Sequence, residues 1–110
     1  MITRYALFEG NIHDGETAAF RAAVMAEMLP VWQRFPGITA IRVTFAEQRD
    51  DGAPEFPLIL AIDYPDMAAV DHFLEHPVRT EGRAATESVL SRFFTGRIHH
   101  HITTAHMIAP

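Results

Sequence analysis

The hydrophobic and polar residues of the chain alternate in patterns that predict four β-strands. Segments in which apolar or β-branched residues recur at every second position, or run without interruption, are typical of strands. The stretch Leu58–Tyr64 is apolar on both faces, which indicates a central strand covered on each side. Residues Glu47–Pro57 form a polar loop consistent with a hairpin. The four predicted strands are Ile2–Phe8, Ile38–Ala46, Leu58–Tyr64 and Arg97–Met107.

Two further regions repeat their apolar residues at helical spacing. The first predicts a long amphipathic helix that begins near Asp14-Gly15 and ends at Pro36-Gly37, with Pro30 inside it. Proline lacks an N–H and clashes with the preceding turn, so a kink or break is expected near residues 26 to 30.

The second helical region follows the third strand and is divided by a proline. Asp66 is suited to cap a helix that ends just after His76, where Pro77 follows. A second stretch over Thr80–Phe94 has Gly96 as its predicted stop. The resulting element order is β-α-β-β-α-β.

This order predicts an α+β fold of the ferredoxin-like kind, with a four-stranded antiparallel sheet and its helices on one face. A chain of 110 residues has room for one core, so residues 1–110 are expected to form a single domain. The strands carry apolar residues, among them Ile2, Phe8 and Ile59, that predict a covered second face. A two-fold related copy of the sheet would cover it, so we expect a homodimer.

Net charge and composition disfavour some classes of partner and some kinds of chemistry. The net charge of -5 disfavours a nucleic-acid partner, because such a surface repels phosphates. Cysteine is absent, which removes disulfides and thiolate chemistry and fits a reducing compartment. No apolar run approaches the roughly 20 residues of a membrane span. We therefore expect a soluble, cytoplasmic protein without membrane or nucleic-acid partners.

Histidine is the most unusual feature of the composition, with seven copies, three of them consecutive in the last strand. In a strand, His99 and His101 share one face and His100 lies on the other. Histidine beside a carboxylate is suited to proton transfer, and arginine to binding a carboxylate or stabilising an enolate. The hypothesis assigns catalysis to His99, His101 and Asp63 and substrate binding to Arg4 and Arg42. These five residues are expected to line a small-molecule pocket between the sheet and its partner.

Two structural alternatives stand beside this hypothesis. Asp63 and Arg42 are also suited to form an ion pair between neighbouring strands, and the three histidines to form a solvated edge of the sheet. His72 and His76 are spaced i, i+4, as in a two-histidine metal site, but the sequence offers no evident third ligand. His76, just before Pro77, is also suited to hydrogen-bond the unpaired carbonyls at the end of its helix. No metal is therefore assigned.

The chain resembles the dimeric α+β barrel superfamily, most closely its EthD-like and stress-responsive barrel proteins. The resemblance covers nearly the whole chain and rests on element order, on Phe35-Pro36-Gly37-Ile38 and on Phe73-Leu74-Glu75-His76-Pro77. It implies a cofactor-independent monooxygenase or isomerase acting on a small, partly apolar or aromatic molecule. A non-catalytic ligand-binding barrel remains an alternative. A haem-binding relative, with His72 or His76 as axial ligand, is a second alternative. A methylmuconolactone-type isomerase would need the cysteine that this chain lacks.

Overall fold

The computed structural model describes residues 1–110 and contains one sheet of four antiparallel strands in the order β2-β3-β1-β4. The predicted ferredoxin-like α+β fold is confirmed, and β2 and β3 pair as the polar loop between them predicted. The two central strands are β3, as expected from its apolar run, and β1. The strands are β1 (Ile2–Ile12), β2 (Ala40–Phe45), β3 (Leu58–Tyr64) and β4 (Phe94–Thr104).

The first helical region is continuous but changes its geometry in the middle. It consists of α1 (Thr17–Ala23), a π-helical segment (Val24–Met28) and α2 (Leu29–Trp32). The N–H of Leu29 donates to the Val24 carbonyl, five residues earlier. Pro30 then lies in the first turn of α2, directly after the π-helical segment, where the widened turn accommodates a residue that has no N–H to donate. The irregularity predicted near Pro30 is thus a widened turn.

The second helical region consists of α3 (Met67–Glu75) and α4 (Val78–Phe93). The Asp66 side chain accepts a hydrogen bond from the Ala69 N–H at 2.9 Å, so the predicted cap is confirmed. Pro77 separates the two helices as expected. None of the helices combines the length and hydrophobicity that a membrane crossing requires.

Gly96 does not stop the last helix, and that prediction is wrong. The helix ends at Phe93, β4 begins at once, and Gly96 lies inside β4 opposite Gly10 of β1. A Cβ on Gly10 would meet the Thr95 carbonyl oxygen at 2.2 Å, and one on Gly96 would meet the Glu9 carbonyl oxygen at 2.0 Å. The backbones approach so closely here that only glycine fits, which is why a glycine inside a strand marks close packing rather than an end.

The core lies between the helices and one face of the sheet. The sheet contributes alternate residues of its central strands to it, and the first helical region contributes side chains spaced four apart. We call the other side of the sheet the open face. Ile2 and Phe8, which were expected to help form an apolar open face, pack toward the helices, while Ile59 lies on the open face. Fully buried core side chains include Phe8, Phe20, Val24, Met28, Leu58, Ile62, Tyr64, Val70, Phe73 and Val89.

Candidate functional site

A cavity of about 280 Å³ lies between the helix-facing side of the sheet and helices α2 and α4, and we call it the helix-side cavity. Most of its wall is aromatic or aliphatic. A few polar groups converge on it, as in small-molecule sites. The aromatic wall consists of Phe8, Trp32, Phe35 and Phe73, and the ionisable groups are Arg4, Arg79, Arg83, Glu87 and His100.

Side chains of a β-strand alternate between the two faces of the sheet, and this alternation places one set of them in the cavity wall. Arg4 and Ala6 of β1 point to the helix side, and the register places Ala6 opposite His100 of β4. Residues directly opposite one another in antiparallel strands share a face. Arg4 and His100 are therefore diagonal neighbours on one surface.

The residues on the opposite wall come from one side of helix α4. Arg79, Arg83 and Glu87 follow one another at intervals of four along α4, so they share one side of the helix. Gly82 lies between them, and a Cβ there would approach Phe35 Cζ to 3.0 Å. The glycine thus lets the Phe35 ring pack close against α4.

Arg4 is a partly buried cation without an anionic partner. Its guanidinium carbon lies 5.4 Å from the centroid of the Phe73 ring, a cation–π contact. None of the ion pairs or side-chain hydrogen bonds of the structure involves Arg4. Burial lowers the pKa of Arg4, as expected for a cation removed from water.

His100 is held in its neutral form. Its pKa is lowered to about 4, first because burial disfavours the imidazolium and then because Arg4, Arg79 and Arg83 repel it. The side chain is only partly removed from water: it lines the cavity and keeps an exposed surface. At neutral pH, His100 therefore offers an uncharged imidazole to anything that enters the cavity, with three guanidinium groups nearby.

Tyr64 lies at the end of β3, next to this wall. Its ring centroid is 5.9 Å from that of Phe73, and its hydroxyl is buried without a hydrogen-bond partner. Burial raises the pKa of Tyr64 to about 12. The hydroxyl stays protonated at neutral pH, so Tyr64 supports Phe73 by packing rather than by exchanging a proton.

The predicted pair of Asp63 and Arg42 forms on the open face. Arg42 donates two hydrogen bonds to the Asp63 carboxylate, at 2.6 and 3.1 Å, and the Thr3 hydroxyl donates a third at 2.7 Å. The Arg42 hydrogen bond is the largest cause of a lowered pKa at Asp63. Asp63 is only 3% exposed. The structural alternative of an inter-strand ion pair thus describes this contact.

His99 and His101 also lie on the open face, on the edge strand. His99 Nε2 lies 2.7 Å from Glu9 Oε1, and this contact is the largest cause of a lowered pKa at Glu9. Arg97 lies 3.4 Å from the same oxygen. His101 is exposed, and no hydrogen bond joins either histidine to Asp63. Their catalytic role stays a prediction.

Arg4 was expected beside Arg42 and Asp63, and that placement is wrong. Strand β1 is apolar on both faces, with Ala6 and Phe8 on one and Leu7 on the other, so its pattern does not indicate which face meets the helices. The sequence reasoning also missed His100, Arg79 and Arg83. One signal was present: His100 alternates with Ile98 and Ile102 on the apolar face of β4.

His72 and His76 lie outside the helix-side cavity. Their ring centroids are 5.9 Å apart. His76 Nδ1 accepts a hydrogen bond from the Val78 N–H at 3.1 Å, so this histidine satisfies an N–H at the start of α4 and not, as expected, an unpaired carbonyl at the end of α3. No group of three or more histidine, aspartate or glutamate side chains is placed to hold a metal ion.

The comparisons with known proteins identify the fold. No family model and no curated protein matches the chain. Among solved structures, an EthD family protein from Bacillus halodurans is similar with a TM-score of 0.68 and 18% identity, over 96% of this chain and 99% of that one. SnoaB from Streptomyces nogalater, a cofactor-independent oxygenase, is similar with a TM-score of 0.63 and 19% identity, over 99% and 96%. A dimeric ferredoxin-like protein of unknown function from Thermobifida fusca has a TM-score of 0.65 and 15% identity, over 94% and 90%. The chain therefore has the fold of the dimeric α+β barrel proteins.

Proposed function

We propose that the chain is an enzyme that removes a proton from a small aromatic molecule bound in the helix-side cavity, without an organic cofactor. The observation that carries the proposal is the neutral His100 next to the unpaired Arg4 in an aromatic-walled space. The aromatic wall fits a planar, apolar body. The polar end fits an oxygen that becomes negatively charged.

The two polar groups have complementary roles. The neutral imidazole of His100 accepts the proton from an acidic hydroxyl or from a carbon next to a carbonyl. The guanidinium of Arg4 stabilises the resulting phenolate or enolate oxygen. The pKa of His100 is low partly because cations surround it, so an anion formed beside those cations also makes His100 a stronger base.

This deprotonation is the first step of both reaction classes that the sequence suggested. In an isomerase, the anion is protonated again at a different atom. In a cofactor-independent monooxygenase, the anion reacts with dioxygen. The likeness to SnoaB, an oxygenase of this kind, supports the second class through a shared fold.

The three consecutive histidines provide a matched test. We would incubate the protein in D₂O with phenols and enolisable aryl ketones, follow proton exchange by NMR and record oxygen consumption. His100→Gln should abolish the activity, whereas His99→Gln and His101→Gln should retain it, because these two side chains point to the open face. Loss of activity only in the His99 or His101 variants would instead support the site on the open face.

One observation favours a non-catalytic ligand-binding barrel as the second candidate. No carboxylate contacts His100: Glu87 lines the cavity but forms no hydrogen bond or ion pair with it. A catalytic histidine usually has a group that orients its ring. In this case, aromatic ligands would bind and quench the fluorescence of Trp32, the only tryptophan of the chain, without any exchange or oxygen uptake.

We also propose that the chain forms a homodimer through the open face. Leu7 and Ile59 pair at its centre and are only half-buried, with Tyr5 and Thr44 around them. A similar sheet packed on this face would bury the apolar centre. The dimeric ferredoxin-like neighbours support this arrangement. Light scattering should give a dimer mass for the native chain and for Met25→Glu, a control on the helical side, and a monomer mass for Leu7→Glu.

A further inference from the structure

All positively charged side chains of this protein, apart from any protonated histidine, are arginines: the chain has nine arginines and no lysine. Six of the nine lie within 4 Å of a carboxylate oxygen. The paired arginines are Arg21, Arg34, Arg42, Arg49, Arg92 and Arg97.

The three unpaired arginines all line the helix-side cavity. They are Arg4, Arg79 and Arg83. The whole chain carries more carboxylates than arginines, 14 against 9, so a shortage of partners does not explain this distribution. A charge removed from water without a partner costs stability, and this applies to Arg4 and Arg79, which are partly buried, whereas Arg83 is exposed. Unpaired guanidinium groups at a cavity wall are suited to bind a negative charge of a ligand.

The net charge of the cavity lining predicts the charge of the ligand that binds there. Three guanidinium groups and one carboxylate, that of Glu87, leave a net charge of +2 while His100 is neutral. Glu87 forms no ion pair with any of the three arginines. A ligand with two negative charges would balance the cavity.

We propose that the substrate of this site is an aromatic carboxylate that becomes a dianion when His100 removes its proton, with an acidic hydroxyl on Arg4 and the carboxylate on Arg79 and Arg83. This inference rests on the proposed function and adds a substrate class to it. The group on Arg4 is the oxygen that loses its proton. The carboxylate on α4 anchors the molecule and is not changed by the reaction.

The positions of the arginines separate the two acidic groups. Arg4 comes from the sheet, and Phe73 lies against its guanidinium. Arg79 and Arg83 come from α4 on the opposite wall, one helical turn apart, and Arg83 is exposed. Arg79 Nη1 donates to the Leu74 carbonyl at 3.3 Å, which ties its side chain to the end of α3. The spacing of four residues places both arginines on one side of α4, and a guanidinium group is suited to bind a carboxylate through two parallel N–H bonds.

The test measures how affinity depends on ligand charge at constant ring size. Benzyl alcohol, benzoate and isophthalate carry zero, one and two negative charges at pH 7.5. Binding would be followed through Trp32, whose side chain forms part of the cavity wall. We expect isophthalate to bind about tenfold more tightly than benzoate, and benzoate more tightly than benzyl alcohol.

Variants of arginines on α4 test which side chains bind the second carboxylate of isophthalate. Arg79→Gln and Arg83→Gln should reduce the affinity for isophthalate to that for benzoate, while the affinity for benzoate changes less than about twofold. Arg92→Gln is the matched control, because Arg92 lies on the same helix, outside the cavity, and is paired with Glu27 at 2.6 Å. It should change neither affinity.

The outcomes distinguish a failure of this inference from a failure of the proposed function. If benzoate and isophthalate bind equally well, or if Arg92→Gln weakens isophthalate as much as Arg83→Gln does, the second acidic group is rejected and the aromatic site stands. If none of the three compounds quenches Trp32 fluorescence, both proposals are rejected.

Discussion

The two faces of the sheet carry the same kinds of ionisable residues in different electrostatic states. On the open face, Arg42 is paired with Asp63, and Glu9 contacts both Arg97 and His99. On the helix side, Arg4 and His100 come from the same two strands as Glu9 and His99, yet no carboxylate contacts them. Adjacent residues of one strand thus have different environments because their side chains point in opposite directions.

The difference lies in the availability of a partner and not in the residue type. Arg42 is the main partner of the buried Asp63, so its removal leaves a buried carboxylate without that partner. An unpaired arginine in a cavity contributes little to stability and is available to a ligand. This contrast gives three predictions.

The largest expected effect is a difference in the free energy of unfolding when an arginine is replaced by methionine on one face of the sheet or on the other. Arg42→Met should lower the free energy of unfolding by about 2 kcal/mol, because it leaves the carboxylate of Asp63 without its main partner. Arg4→Met should leave stability unchanged or raise it by up to about 1 kcal/mol, because it removes a desolvated charge. Urea unfolding measures both. Equal losses would contradict the contrast.

A ligand in the helix-side cavity should change the titration of His100. Binding of isophthalate places negative charge beside Arg4, Arg79 and Arg83, so the pKa of His100 should rise from about 4 by about one unit. NMR of the His100 imidazole protons, recorded across pH with and without isophthalate, measures this rise. An unchanged pKa of His100 in the presence of bound isophthalate would indicate binding outside this cavity.

Acid should destabilise the two faces in different pH windows. The pKa of His100 is about 4 in the folded state against an ordinary 6.5, so the unfolded state binds more protons between these values. Stability should therefore fall by about 1 kcal/mol, after allowance for solvent screening, as pH decreases from 6.5 to 4.

The lowered pKa of Asp63 acts in the same direction at lower pH. Its contribution is present above the ordinary value of 3.8 and is lost as pH falls through the folded-state pKa. His100→Gln should remove the first decline and Asp63→Asn the second, in urea unfolding measured across pH. A first decline that persists in His100→Gln would show that His100 is not its source.

The elements of the fold were largely predictable because each depends on local pattern. The apolar run of β3, the cap at Asp66 and the irregularity near Pro30 follow from residues within a few positions of each other. The end of the last helix could not be predicted from nearby residues. Gly96 was assigned as a stop because its partner in close packing, Gly10, is 86 positions earlier, and only the strand register brings them together.

The candidate site was less predictable for the same reason. Whether an arginine is paired depends on carboxylates that are distant in the sequence: Asp63 lies 21 positions from Arg42, and Glu9 lies 88 positions from Arg97. The face to which Arg4 points was ambiguous because both faces of β1 are apolar. Alternation in β4 correctly separated His100 from its two neighbours, but the cavity beside it depends on how α4 packs.

The π-helical segment sets the angular phase of the first helical region. Its large buried side chains, Phe20, Val24, Met28 and Trp32, are spaced by four throughout. In a regular α-helix, each such step advances about 40° beyond a full turn, so three steps would rotate the last residue by about 120°. The widened turn absorbs part of this rotation. The only tryptophan of the chain can thus face the same cavity wall as the sheet residues, because one turn of its helix holds an extra residue.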